Sequence, residues 1–211
     1  MNWTTILTDE ARENSILRTE VLIRKYKLSE PAVRNALRRY ESNGLVERIS
    51  TKVYINHFNQ HFSARDLVNI LRPRSYISLQ SALVERGVIT QNPLVLTCVT
   101  PSYPQKFQGK SVIIVYRKIS PELYWGFEER NTRYNKFRIA EPEKALLDWI
   151  YLSRQEGLPT PLDEVNLQFL NAAKLRAYAD KFPKTVNETI KDLLLEKAFP
   201  LQELAGTDTK K

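Results

Sequence analysis

The chain has 211 residues, 42% hydrophobic and 27% charged, a balance that excludes disorder throughout and suggests one or two domains. Its apolar runs, such as Val112–Tyr116, fall far below the roughly 18 residues of a membrane span, Met1–Thr5 lacks the basic start of a leader, and the single Cys98 excludes an intramolecular disulfide, so a soluble cytoplasmic protein with no membrane partner is expected. The net charge of +8 is the footprint of a polyanion binder, while glycine-rich phosphate loops of the GxGxxG or GxxxxGK(S/T) kind are absent.

Residues 15–56 carry a regular order of signals. Ser15-Ile16-Leu17 is short and apolar, and Thr19 can cap a helix bearing Val21, Leu22 and Ile23 that ends near Lys25-Tyr26. Leu28-Ser29 follows as a turn. Ser29 is a good N-cap, because its hydroxyl can accept from a free first-turn N–H, and Pro31 loses no helical bond there. Val33, Ala36, Leu37 and Tyr40 then form an apolar stripe at helical spacing, and Gly44 supplies a left-handed stop. Leu45–Ile49 and Lys52–Asn56 read as two strands joined by Ser50-Thr51.

Helix, turn, helix and hairpin is the order of a winged helix-turn-helix, whose second helix enters the major groove. With the stripe buried, Glu30, Arg34, Asn35, Arg38, Arg39 and Ser42 point outward. Arginine can grip guanine O6 and N7 with two bonds, and asparagine can do the same for adenine. Arg34, Asn35 and Arg38 are therefore assigned to bases, and Ser29, Arg39, Ser50, Thr51 and Lys52 to phosphates. Residues 24–52 hold eight bases against three acids, whereas residues 156–211 hold eight against nine, so the last segment is not a basic arm. The plainer alternative is a solvated helix face that touches no nucleic acid.

Residues 57–64 read as a connection. His57 and His61 are four apart but lack further ligands, so aromatic packing is expected there and no metal. Residues 61–211 form a second domain, with a sheet part over 65–155 and a helical tail over 159–205. Ala64–Leu71 gives a turn or two of helix, and Ser78 can cap a helix with Leu79, Ala82, Leu83 and Arg86, closed by Gly87. Leu94–Thr100, Lys106–Gln108, Ser111–Lys118, the aromatic Leu123–Phe127 and Lys136–Ile139 are strand candidates, expected to pair antiparallel. Pro142 and the acids around it open a helix striped by Ala145, Leu146, Trp149 and Ile150. Pro159 and Pro161 introduce Leu162–Leu170, Asn166 or Asn171 can cap the next stretch, Val186–Phe199 is amphipathic, and residues 206–211 fray. The fold class is thus α+β: a winged helix-turn-helix over residues 1–60, then a mixed domain with an antiparallel sheet flanked by helices and a helical tail.

Two runs carry a family resemblance. Ser78-Leu79-Gln80-Ser81-Ala82-Leu83, with Gly87 and Ile89 following, and Ala140-Glu141-Pro142-Glu143-Lys144-Ala145-Leu146-Leu147-Asp148 stand behind the expected winged helix. Over about residues 15–155 the chain resembles the AbiEi antitoxins of bacterial type IV toxin–antitoxin systems. The resemblance implies that the first domain binds inverted repeats in its own promoter and represses it. It also implies that the second domain counters a nucleotidyltransferase-like toxin, AbiEii, without a stable complex. The motif residues Ser78, Ser81, Pro142, Glu143, Lys144 and Asp148 then belong to the antitoxin domain. Read by itself, Glu143 suits the positive end of a helix and Lys144 a solvated position, while the functional reading is a polar surface for a partner.

Catalysis and ligand sensing are the competing classes. Cys98 lies far in sequence from both histidines and reads as a small buried hydrophobe. Glu141, Glu143 and Lys144 sit at a helix start rather than on strand ends, so a metal-nuclease pattern fails. No enzyme and no cofactor are expected. The alternative reading is a stand-alone winged-helix regulator whose second domain senses a ligand or binds a protein. The bases Arg72, Arg74, Lys106, Lys110, Arg117, Lys118, Arg130, Arg133, Lys136 and Arg138 raise the question of a basic face on that domain.

Overall fold

A computed structural model describes residues 2–91 and 93–198. Among the described residues it is an α+β chain with eight α-helices and two sheets, and no helix is long and apolar enough to cross a membrane. The tail beyond Ala198, including Phe199 and the helical and frayed readings to 205 and 211, lies outside the described residues.

The first unit runs α1 (Trp3–Glu13), β1 (Ile16–Arg18), α2 (Thr19–Tyr26), α3 (Glu30–Ser42), β2 (Val46–Arg48) and β3 (Val53–Asn56). Asn2 caps α1 by accepting from the Thr4 N–H. Ser29 caps α3 through the Ala32 N–H, with Pro31 in the first turn. Gly44, at φ +71°, turns the chain out of α3 toward β2. Thr19 does not cap α2: the helix begins at Thr19 itself, Arg18 holds the cap position without a side-chain bond, and the Thr19 N–H donates to the Lys52 carbonyl at 3.0 Å.

The three strands pair antiparallel in the order β1-β3-β2. Every residue of β3 is buried because the strand separates two cores. Leu17, Val46 and Tyr54 face Ile6, Leu7, Leu22, Val33 and Leu37 of the helices. Ile16, Val53 and Ile55 turn the other way, into the larger core of the rest of the chain. The first unit is therefore not a separate bead.

The remainder runs α4 (Arg65–Leu71), β4 (Tyr76–Ile77), α5 (Leu79–Glu85), β5 (Leu96–Thr100), β6 (Gln105–Gln108), β7 (Ile113–Lys118), β8 (Phe127–Asn131), β9 (Lys136–Ala140), α6 (Pro142–Gln155), α7 (Ala172–Ala179) and α8 (Lys184–Ala198). The second sheet has the order β6-β7-β5-β4-β9-β8. It is mixed, which corrects the antiparallel expectation: β5 with β7 and β4 with β9 are parallel. The two-residue β4, absent from the sequence reading, joins the two halves of the sheet by pairing with both β5 and β9. Leu123–Phe127 is not a strand either. Pro121–Leu123 forms a 3-10 turn, Gly126 takes φ +73°, and pairing starts only at Phe127. A proline and a left-handed glycine override the aromatic strand propensity.

Polar contacts fix the two units together. Asp66, buried, accepts from Ser15 Oγ at 3.2 Å, from Asn135 Nδ2 at 3.2 Å and from the Thr132 hydroxyl. Glu47, buried in β2, accepts from the Ser111 N–H at 2.9 Å and Ser111 Oγ at 2.5 Å in the β6–β7 turn, and His57 Nε2 stands 3.3 Å away. A Cβ at Gly109 would overlap the Glu47 carboxylate, so glycine is what lets this turn close on β2.

Candidate functional site

On α3 the apolar stripe works as expected. Val33, Ala36 and Leu37 are buried, and Glu30, Arg34, Asn35, Arg38, Arg39 and Ser42 are exposed. Arg34 pairs with Glu30 one turn back, both side chains about 60% exposed. Arg39 lies over the Tyr40 ring at 5.6 Å, and the Ser42 hydroxyl donates to the Arg39 carbonyl.

Across from α3, the turn between β2 and β3 carries Ser50, Thr51 and Lys52, the last two exposed. A cleft of about 380 Å³ separates the two elements and is lined by Arg34, Arg38, Arg48 and Lys52, with Glu30, Glu41 and Tyr54. Arg48, from β2, is a member the sequence reading did not assign. It is the exposed residue of an otherwise buried strand. Burial raises the Tyr54 phenol, although Arg48, Arg34 and Arg38 pull it down. The structure thus brings together Arg34, Arg38, Thr51 and Lys52, while Ser29 stands at the start of α3, occupied with its capping bond.

The second motif set behaves differently. Lys144 and Asp148 are wholly buried and pair with each other one turn apart on α6. Tyr76 Oη bridges them, accepting from Lys144 Nζ at 2.8 Å and donating to Asp148 Oδ2 at 3.0 Å, and Ser78 Oγ donates to Asp148 at 2.8 Å. The ammonium also lies within 5.3 Å of the ring centroids of Tyr76, Trp125 and Phe182. Burial lowers the Lys144 ammonium and raises the Asp148 carboxyl, each opposed by the other's charge. A polar surface and a solvated Lys144 are therefore corrected: α6 is covered on nearly every side, so this motif faces the interior.

The other motif residues are also tied inward. Ser78 stands at the N-cap position of α5 but makes no side-chain capping bond; its hydroxyl donates to Asp148, and the next residue, buried Leu79, sits at φ +55°. Ser81 ties α5 to β5 through the Thr97 N–H at 2.8 Å. Pro142 occupies the first position of α6. Glu143, buried beside it, accepts from the Asn171 N–H at 2.8 Å. Tyr76, Trp125 and Phe182 complete the cluster from distant segments and gave no sequence signal of belonging to it.

Among the described residues no group of three or more His, Cys, Asp or Glu is placed to hold a metal ion. Cys98 is fully buried, and burial pushes its thiol far above the usual range. Six of the ten bases of the second unit fall into two groups. Arg117, Arg130 and Lys136 pair with glutamates. Arg72, Arg74 and Arg138 instead meet Gln105, Tyr124 and Phe127. No protein-family model matches the chain, and no curated protein matches it.

Proposed function

We propose that the first unit is a winged helix-turn-helix that binds duplex DNA, with α3 in the major groove and the β2–β3 turn against the backbone. The observation that carries this reading is the opposed pair of exposed cationic walls, Arg34 and Arg38 on α3 facing Arg48 and Lys52. Arg34, Asn35 and Arg38 read base edges; Ser29, Arg39, Ser50, Thr51 and Lys52 hold phosphates. The Glu30–Arg34 pair does not oppose this, since an exposed pair contributes about 0–1 kcal/mol and yields readily to guanine.

The resemblance to AbiEi antitoxins extends the proposal to the whole chain. It is a cytoplasmic autorepressor at inverted repeats in its own promoter and the antitoxin of a nucleotidyltransferase-like toxin, countered without a stable complex. No enzymatic activity is part of this proposal, since the Cys98 thiol is buried and Lys144 and Asp148 pair with each other. Mobility-shift titration of the promoter duplex tests the DNA reading, and co-expression with a nucleotidyltransferase toxin of the AbiEii kind tests the antitoxin reading. Equal binding of promoter and scrambled duplex, unaltered in an Arg34→Ala/Arg38→Ala variant, defeats the first. Undiminished toxicity defeats the second.

One observation favours the ligand-sensing alternative, a groove of about 420 Å³ lined by Ile89, Trp149, Leu158, Thr97 and Arg117. A small molecule that raises the melting temperature and shifts promoter affinity, both abolished by Trp149→Ala, would select it.

A further inference from the structure

Three arginines of the second unit that form no ion pair among the described residues, Arg72, Arg74 and Arg138, lie close together. Arg72 donates to the Gln105 side chain at the start of β6. The Arg74 carbonyl accepts from Thr100 Oγ1 at 2.6 Å at the end of β5. The four residues between those anchors, Pro101 to Pro104, are thereby clamped beside the arginines. They carry Tyr103, a residue 80% exposed, in the run Pro101-Ser102-Tyr103-Pro104. Arg74 lies over the Tyr124 ring at 5.6 Å, and Arg138 donates to the Pro73 carbonyl at 3.2 Å and to Tyr124 Oη at 3.4 Å. Tyr124 is braced from within by Tyr76 and Phe127, with ring centroids 5.5 and 5.0 Å away. Among the described residues no carboxylate forms an ion pair with Arg72, Arg74 or Arg138, and Arg72 Nε is buried with no hydrogen-bond partner.

An exposed aromatic residue on a loop anchored at Arg72 and Arg74, neither of them ion-paired to an acid, fits unstacked bases on a phosphate chain. A duplex hides its base faces and could use only the charges. We propose that this end of the larger sheet binds single-stranded nucleic acid, with Tyr103 stacking on a base and Arg74 and Arg138 holding the flanking phosphates. The site is separate from the α3 cleft and does not rest on the duplex-binding reading.

The test is fluorescence anisotropy of the full chain with a labelled oligouridylate dodecamer and its oligothymidylate counterpart, at low and at physiological salt. Binding that weakens with salt is expected, reduced roughly tenfold or more in Tyr103→Ala. Arg74→Ala should flatten the salt dependence by about 0.7. The melting temperature of Tyr103→Ala should match the parent, so a loss of binding is not a loss of fold. An Arg34→Ala/Arg38→Ala variant should keep single-strand binding. Preference for the uridylate strand adds a contact to the 2′-hydroxyl, and equal binding confines recognition to stacking and phosphate; both support the proposal. It is overturned by no single-strand binding at low salt, by binding indifferent to Tyr103→Ala, or by binding lost in the α3 variant.

Discussion

Two helices of this protein carry the same device, an acid and a base one turn apart, in opposite surroundings. Glu30 and Arg34 on α3 stand in solvent; Lys144 and Asp148 on α6 lie in the core. The first has the favourable polarity, with the acid toward the helix N-terminus. The second has its cation in the first turn, where the helix dipole opposes it. Helix chemistry therefore does not explain the second pair. Tyr76, Ser78 and the rings of Trp125 and Phe182 do, by satisfying both charges in three dimensions. An exposed pair leaves its arginine free for exchange with a ligand, whereas a buried pair is committed to the fold.

The largest break in that comparison is at α6. Lys144→Met leaves Asp148 buried without its cation, which should cost about 3–5 kcal/mol in urea unfolding, and Lys144→Met/Asp148→Leu should recover most of it. If Lys144→Met alone is neutral, the cluster is not what holds α6. Glu47→Gln comes next, at about 1.5–3 kcal/mol, since it removes the charge from the Ser111 bonds.

Glu47 also predicts a pH dependence. Burial pushes its carboxyl up, but Ser111, the Lys110 N–H and His57 outweigh this and hold it below the ordinary 4.5. Its contribution is present above about pH 4.5 and is lost as the pH falls through the lower folded value. Unfolding titrations from neutral to acid pH should show a shallower loss in Glu47→Gln than in the parent.

Smaller effects belong to α3 and the turn opposite. Arg38→Ala should cost about 1–3 kcal/mol of promoter affinity and relax preference at one base pair, with unfolding unchanged. Lys52→Ala should weaken all duplexes alike and reduce the salt slope by about one. Smallest of all, Glu30→Gln should move stability by no more than about 0.5 kcal/mol; a loss as large as that of Lys144→Met would erase the distinction between the two pairs.

Much of the first unit was legible because its signals are local. Ser29, Pro31, the Val33–Leu37 stripe and Gly44 lie within one helix and its ends, and the structure uses each in place. The helix α1 went unread although Asn2 caps it, since Ile6, Leu7 and Ala11 are its only buried apolar residues in a stretch rich in threonine and acids. The two residues of β4 are too few for any periodicity, and their pairing is settled by β5 and β9 alone.

For the candidate sites the division runs along the same line. The outward face of α3 follows from a period of 3.6, so the sequence by itself determined which cations point away from the core. It also determined the Ser29 cap, the Gly44 stop and the β2–β3 hairpin. Only the tertiary structure decided that Lys144 and Asp148 are interior, that Arg48 joins the cleft, and that Tyr103 is clamped beside Arg72 and Arg74. Burial of a charge depends on partners supplied from far along the chain, here Tyr76 and Ser78 about seventy residues earlier, and no local pattern encodes a partner's distance in space.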